Sequence, residues 1–103
     1  TEKSLVSFEL DLMWIEVSDV DATTHLKKYA GRYELCHVQD FVREPKIEST
    51  DLGKGVVDYP RLLKIASDTG IKHFIVEQEA YPSPVMECIA NDAAYMKQLV
   101  FQA

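Results

Sequence analysis

The stretch that decides the fold is residues 32–38, "RYELCHV", because its side chains alternate between two faces. One face carries Tyr33, Leu35 and His37, and the other carries Cys36 and Val38. A period of two residues is that of a β-strand, in which neighbouring side chains point to opposite sides. The segment therefore predicts a strand with one apolar face and one face that ends in a histidine.

Two more segments show the same alternation. Residues 4–12, "SLVSFELDL", place Val6, Phe8, Leu10 and Leu12 on one face and Ser7, Glu9 and Asp11 on the other. Residues 72–78, "KHFIVEQ", place Phe74 and Val76 on one face and His73, Ile75 and Glu77 on the other. Each segment predicts a strand, so we expect three strands of similar design.

A helix is predicted after each strand. Apolar residues recur at helical spacing in three groups: Ala22, Leu26, Tyr29 and Ala30; Leu62, Leu63, Ala66 and Thr69; and Met86, Ile89, Ala90, Ala93, Met96 and Val100. Gly31 and Gly70 follow the first two groups, where helices commonly end, and Asp58 precedes the second as a cap. Residues 39–58 predict a long loop, which in a compact domain is usually functional or mobile.

Strands that alternate with helices predict an α/β fold of three consecutive βα units with parallel strands, in one domain over residues 1–103. Right-handed crossovers would place all three helices on one sheet face. The other face would then carry Ser7, Glu9, Asp11, His37 and Glu77. Doubly wound sheets are apolar on both faces, so this polar face is more typical of the inside of a (β/α) barrel.

Charge and cysteine usage limit the partners. The net charge of −6 predicts no nucleic-acid partner, since such sites need clustered lysines and arginines. No apolar run reaches the roughly 20 residues that cross a bilayer, so no membrane partner is expected. Cys36 and Cys88 lie in apolar segments without metal-site spacing and are expected to be reduced core residues. We expect a cytoplasmic location, with the periplasm as the alternative because an export signal would precede Thr1.

Each predicted strand delivers one ionisable side chain near its C-terminal end: Asp11, His37 and Glu77. In (β/α) barrels this end of the strands holds the active site. One nitrogen and several carboxylate oxygens suit Mn²⁺, Co²⁺, Mg²⁺ or Zn²⁺, so these residues are candidate metal ligands. Two other interpretations stay open, namely that Asp11 only caps the next turn and that His37 is a hydrogen-bonded core histidine. His73 lies about 13 Å from Glu77 along the strand and should not be a ligand.

Four motifs occur in a fixed order along the chain: "LDLxW", "HVxD", "LGxGxVD" and "VEQ". In this order and over nearly the whole length, the sequence resembles the C-terminal portion of sugar phosphate isomerase/epimerase proteins of the xylose isomerase-like TIM barrel superfamily. The resemblance implies an eight-stranded (β/α)8 barrel, of which this chain would supply about the last three βα units.

The resemblance also implies a divalent metal held by a glutamate from an earlier strand and then by Asp11, His37 and Glu77. Glu77 would in addition be a catalytic acid/base. The earlier glutamate has no counterpart here, because its strand would precede Thr1. The metal site is therefore expected to be incomplete within this chain.

Three residues fall at substrate-binding positions of the family: Trp14, Asp40 and Arg43. Trp14 would line the sugar pocket or form a rim aromatic. Asp40 and Arg43 would orient the ligating histidine or hold substrate hydroxyls, and a solvated loop charge is the alternative for Arg43. Lys54, in a glycine-flanked loop, is a weaker candidate.

The implied reaction is isomerisation or epimerisation of a carbohydrate substrate, with metal-assisted proton transfer through an enediolate, in bacterial carbohydrate metabolism. One alternative is a metal-dependent eliminase or lyase that acts on oxidised glycosides on the same scaffold. Another is a non-catalytic or incomplete barrel fragment. Open strand edges invite pairing, so we expect self-association or a partner chain that completes the barrel.

Overall fold

The computed structural model describes residues 4–101, and within this range no helix is long and apolar enough to cross a membrane. Each of the three predicted strands is present, and at least one helix follows each of them along the chain. In chain order the helices and strands are β1 (Phe8–Asp11), α1 (Leu12–Val17), α2 (Ala22–Lys28), β2 (Tyr33–Val38), β3 (Asp40–Val42), β4 (Glu48–Thr50), α3 (Tyr59–Asp68), β5 (His73–Val76) and α4 (Val85–Gln98).

Strands β1, β2 and β5 form a parallel sheet with β2 in the centre. The register pairs Asp11 with His37 and His37 with Ile75. This confirms the predicted α/β fold with parallel strands joined through helices. It also brings the C-terminal ends of the strands to one edge, where the candidate ligands were predicted.

The two faces of the sheet differ as predicted. Cys36 and Val38 are fully buried on the face that packs against the helices, which we call the covered face. The core there includes Leu26 of α2 and Leu62 and Leu63 of α3. The opposite face, which carries Glu9, Asp11, His37 and Glu77, is termed the open face.

Both cysteines are free and buried, as predicted. Burial, followed by the charges of Asp11 and Glu9, raises the pKa of the Cys36 thiol to about 12. The thiol therefore stays protonated at neutral pH and belongs to the core rather than to a reactive or metal-binding site.

The first difference from the prediction is at the end of β1. The strand stops at Asp11, and Leu12 begins helix α1 instead of continuing the strand. Asp11 Oδ1 accepts a hydrogen bond of 3.1 Å from the Trp14 backbone N–H and so caps α1. Leu12 fitted the predicted strand alternation because it is apolar. It is fully buried, but as the first residue of helix α1 rather than as part of the strand.

The second difference lies in residues 39–58, where the sequence predicts only a loop. Strands β3 and β4 pair antiparallel there, with Asp40 opposite Thr50. The prediction that the whole segment is a loop was therefore wrong, because strands of three residues are too short to show a recognisable alternation. The segment that follows, residues 51–57, is termed the anchored loop.

The third difference is the buried side of α4. Met86 and Ile89 of the predicted apolar stripe are 75% and 48% exposed, and the buried residues are Cys88 and Asp92. Asp92 accepts a 2.8 Å hydrogen bond from the Leu52 N–H. A polar contact with the anchored loop thus sets the orientation of the helix, which hydrophobic periodicity alone cannot predict.

Candidate metal centre

Asp11, His37 and Glu77 come together on the open face. His37 Nδ1 lies 2.8 Å from Glu77 Oε2 and 3.6 Å from Asp11 Oδ2. One ligand atom from each residue lies within 4.8 Å of the other two. The structure therefore brings the three sequence-predicted residues into one group.

The strand register explains this meeting. Asp11 and His37 are direct partners across β1 and β2, so their side chains leave the sheet on the same side. Glu77 lies two positions beyond Ile75, the partner of His37, and its N–H donates to the Val38 carbonyl at 3.0 Å. This bond continues the parallel ladder past the end of β5 and keeps the Glu77 side chain on the open face.

The three side chains are accessible without being fully solvated. Their exposed fractions are 20% for Asp11, 30% for His37 and 37% for Glu77. A cavity of about 450 Å³ borders Glu77 and continues between the end of β5 and α4, with Ile89 and Met96 in its wall. Because all three side chains are partly exposed, a small ligand can reach the group.

The donor set fits a divalent cation of intermediate hardness. One imidazole nitrogen and two carboxylates are ligands that Mn²⁺, Co²⁺ and Zn²⁺ accept, and the carboxylates also suit Mg²⁺. Ligand atoms about 2.1 Å from an ion lie at most about 4.2 Å apart, so the observed limit of 4.8 Å requires only small side-chain rotations. The residues that the structure describes offer three protein ligands in this group, which leaves coordination positions free for other groups.

Gln39 is a residue that the sequence analysis missed. It is fully buried, and its Nε2 donates to Asp11 Oδ2 at 3.2 Å while its Oε1 accepts from Ser49 Oγ at 3.2 Å. Its backbone carbonyl accepts a 2.6 Å hydrogen bond from the Tyr59 hydroxyl. Burial raises the pKa of that hydroxyl well above its ordinary value. Gln39 thus fixes the Asp11 carboxylate. Its position directly after β2 was the only signal in the sequence.

Trp14, Asp40 and Arg43 take different positions. Trp14 is 47% exposed in α1, one turn after Asp11. Arg43 is exposed, with Nη2 3.3 Å from the Glu16 carbonyl, and its guanidinium lies 5.0 Å from the centre of the Phe41 ring. Trp14 and Arg43 remain accessible to a ligand.

Asp40, in contrast, is fully buried. Its Oδ1 accepts from the N–H groups of Phe41 and Val57, and its Oδ2 accepts from those of Gly53 and Gly55, at 2.9 to 3.1 Å. Because both oxygens are engaged by the backbone, the structure does not bring this carboxylate to the open face. Asp40 holds the anchored loop against β3.

The remaining histidines lie elsewhere. His73 is the exposed first residue of β5 and therefore lies at the opposite end of the strand from Glu77, as predicted. His25, in α2, is half-buried, and its Nε2 lies 2.8 Å from the Tyr33 hydroxyl. Neither residue joins the Asp11, His37 and Glu77 group.

Comparisons with known proteins find solved structures that are similar to this chain. A scan against protein-family models gives no match, and neither does a search of curated proteins. Two crystal structures of sugar phosphate isomerase/epimerase from Parabacteroides distasonis ATCC 8503 match all of this chain, each with a TM-score of 0.81, at 26% and 24% sequence identity. The chain spans about one third of their length, 34% and 35%. The resemblance predicted from the sequence is confirmed: the chain has a partial TIM-barrel-like α/β fold similar to that of sugar phosphate isomerase/epimerase proteins.

Proposed function

We propose that this chain supplies the metal-binding side of a sugar isomerase or epimerase active site. The observation that carries the proposal is the meeting of Asp11, His37 and Glu77 at the C-terminal ends of parallel strands. This is the end at which barrel enzymes carry out their chemistry. The two solved structures that the chain resembles are sugar phosphate isomerase/epimerase proteins, which favours a sugar or sugar derivative as the substrate.

Asp11, His37 and Glu77 would hold the divalent cation. When bound, the cation would polarise neighbouring substrate oxygens and stabilise the negative charge of an enediolate. Gln39 keeps the Asp11 carboxylate in place through its 3.2 Å hydrogen bond. The protein thereby fixes a ligand before the substrate arrives, which lowers the cost of reaching the reactive geometry.

Glu77 would transfer the proton. Its carboxylate takes a proton from the substrate carbon beside the carbonyl, the C–H electron pair forms the carbon–carbon double bond of the enediolate, and the carbonyl π electrons move to oxygen. Return of a proton to the neighbouring carbon, with transfer of the hydroxyl proton to the former carbonyl oxygen, gives the isomer; return to the opposite face of the same carbon gives the epimer. A second acid/base, supplied by an earlier strand, would serve the other side of the substrate.

Trp14 and Arg43 would contact the substrate. An exposed indole beside Asp11 offers an apolar face for the C–H side of a sugar ring, and an exposed guanidinium offers donors for hydroxyl or phosphate oxygens. Asp40 would support the site indirectly. It would hold the anchored loop in place and would not bind substrate hydroxyls.

The chain would function within a completed barrel, as its last three βα units. In the described residues, β1 and β5 are both edge strands, and Phe8 and Ile75 are 42% and 44% exposed. Open parallel edges and apolar side chains favour pairing with further strands. We propose that the remaining strands supply the fourth ligand, and that the isolated 103-residue chain self-associates and is inactive. A stable monomer in light scattering would contradict this part.

The experiment that tests the function uses the intact protein containing this chain. Sugar phosphates, both aldoses and ketoses, are incubated with the protein and Mn²⁺ in D₂O, and deuterium at the carbon beside the carbonyl is measured by NMR. The wild type should incorporate deuterium, and Glu77→Gln should not. Glu79→Gln, a matched change at an exposed neighbour, should behave as the wild type. Exchange that survives Glu77→Gln, or no exchange with any sugar, would contradict the proposal.

A further inference from the structure

Glu9 is a fourth ionisable side chain on the open face. It lies two residues before Asp11 on β1, so both side chains leave the same side of the sheet, and its strand partner is Leu35. Its Oε1 lies 3.4 Å from His37 Nε2, and its side chain is 38% exposed. Glu9 therefore contacts His37 on a different ring atom from the other two carboxylates.

The two ring nitrogens of His37 face different groups. Nδ1 faces Glu77 Oε2 at 2.8 Å and Asp11 Oδ2 at 3.6 Å, whereas Nε2 faces Glu9. The two nitrogens point away from each other across the ring, so a cation on the Nδ1 side lies away from Glu9. Glu9 is also outside the group whose ligand atoms lie within 4.8 Å of one another. It is therefore poorly placed to serve as the further ligand that is expected from an earlier strand.

We propose that Glu9 is a positioning residue that accepts the Nε2–H of His37 and thereby presents Nδ1 to the metal. A histidine that binds a metal through one nitrogen commonly donates from the other to a carboxylate, which fixes the tautomer and the ring orientation and strengthens the ligand. The separation of 3.4 Å exceeds that of a short hydrogen bond, and a small rotation of this exposed side chain closes it. The inference rests on the proposed metal centre.

The first test is a Co²⁺ titration of the intact protein, followed by visible absorption. Glu9→Ala should weaken binding by about 10- to 100-fold, the usual effect of losing an outer partner. Glu9→Gln keeps an acceptor oxygen and should restore part of the affinity. The control variant Glu34→Ala also removes one negative charge. Glu34 is exposed, and its side chain leaves β2 on the opposite side of the sheet from His37, so this variant should bind Co²⁺ as strongly as the wild type. Equal affinities for Glu9→Ala and Glu34→Ala would overturn the proposal.

The second test does not depend on metal binding. ¹⁵N NMR of the histidine ring shows whether Nε2 of His37 carries a proton and how fast that proton exchanges with water. The wild type should show a protected Nε2–H, with or without Zn²⁺, and Glu9→Ala should lose the protection. A bare Nε2 in the wild type would overturn the proposal. A protected Nε2–H in a wild type that binds no Co²⁺ would instead contradict the metal centre and leave the contact with Glu9 supported.

Discussion

Two carboxylate sites within the same small fold differ in how their oxygens are used. Asp40 is fully buried and accepts four hydrogen bonds, all from backbone N–H groups. Glu77 and Asp11 are partly exposed and face the imidazole of His37. The first site is saturated by donors that cannot move away, and the second is held by side chains that can rotate.

The difference separates a structural site from the candidate metal site. Buried N–H groups have no alternative partner, so a carboxylate that serves four of them stabilises the fold and has no oxygen left for a ligand. Carboxylates that surround one imidazole at a partly exposed surface contribute little to the stability of the fold unless they bind a cation. The sequence motif "HVQD" contains both kinds, with His37 in the second and Asp40 in the first.

The largest effect is expected at Asp40. Asp40→Ala leaves the N–H groups of Phe41, Gly53, Gly55 and Val57 without their acceptor, and should lower the free energy of unfolding by about 3–5 kcal/mol. Urea unfolding followed by circular dichroism measures this. Asp68→Ala, which removes an exposed pairing with Lys64, should cost less than about 1 kcal/mol. Similar losses for Asp40→Ala and Asp68→Ala would show that the hydrogen bonds to the buried Asp40 carboxylate stabilise the fold no more than an exposed ion pair does.

Gly55 gives an independent check on the anchor. A Cβ atom at this position would overlap the Asp40 carboxylate and the Phe41 carbonyl, so Gly55→Ala should cost about 1–3 kcal/mol. Because both changes disrupt one contact, the double variant Asp40→Ala/Gly55→Ala should lose less than the sum of the two. Additive losses would mean that the loop and the carboxylate act separately.

Asp11 belongs to both kinds of site, and its substitution should have an intermediate effect on stability. Asp11→Ala removes the cap of α1 and should cost about 0.5–2 kcal/mol, and it should also weaken metal binding. Asp21→Ala removes the equivalent cap of α2 and should lose similar stability without changing metal affinity. Urea unfolding and Co²⁺ titration of both variants separate the two roles. A Co²⁺ affinity that Asp11→Ala leaves intact would remove this residue from the ligand set.

The smallest effects are expected from pH at two buried residues next to the anchor. At Asp51, burial raises the pKa, but hydrogen bonds from Asn91, Cys88 and Gln78 and the charge of Lys54 outweigh it, so the pKa is lowered. A lowered folded-state pKa contributes stability that is complete above the unfolded value of about 3.9 and is lost as pH falls through the folded value. The advantage of the wild type over Asp51→Asn should therefore shrink as pH falls below about 4.

Asp92 should show the opposite sign. Burial, with the charges of Asp51 and Asp40, raises its pKa despite the hydrogen bond from Leu52. Its contribution is complete below the unfolded pKa and is lost as pH rises through the folded value. Unfolding free energies of wild type, Asp51→Asn and Asp92→Asn between pH 3 and 7 test both signs. Parallel pH profiles for the two variants would contradict these assignments.

The features that depend on strand alternation could be predicted from the sequence. The parity of residues 33–38 placed His37 on the open face and Cys36 in the core, and the same parity aligned Asp11 and Glu77 with His37. Strand alternation did not predict the β3–β4 hairpin, because strands of three residues are too short to show a period. Nor did it predict the contact of Glu9 with His37. Glu9 was recognised as a residue of the open face, but which ring nitrogen it faces depends on side-chain rotation.

The roles of Asp40 and of α4 were beyond the sequence for a different physical reason. Both are fixed by hydrogen bonds to the anchored loop, far away in the chain, and polar contacts of this kind leave no trace in hydrophobic periodicity. Asp92 reads as a surface residue of an amphipathic helix, yet it is buried because the Leu52 N–H needs an acceptor.

The most direct test of the central claim is calorimetric titration of the intact protein with Mn²⁺ and Zn²⁺, comparing the wild type with His37→Ala and His73→Ala. The wild type and His73→Ala should bind one ion with equal affinity, because His73 lies at the other end of β5. His37→Ala should bind more weakly by over about 100-fold, beyond the usual loss for an outer partner. Unchanged affinity in His37→Ala, or no binding by the wild type, would contradict the assignment of this open face as a metal centre.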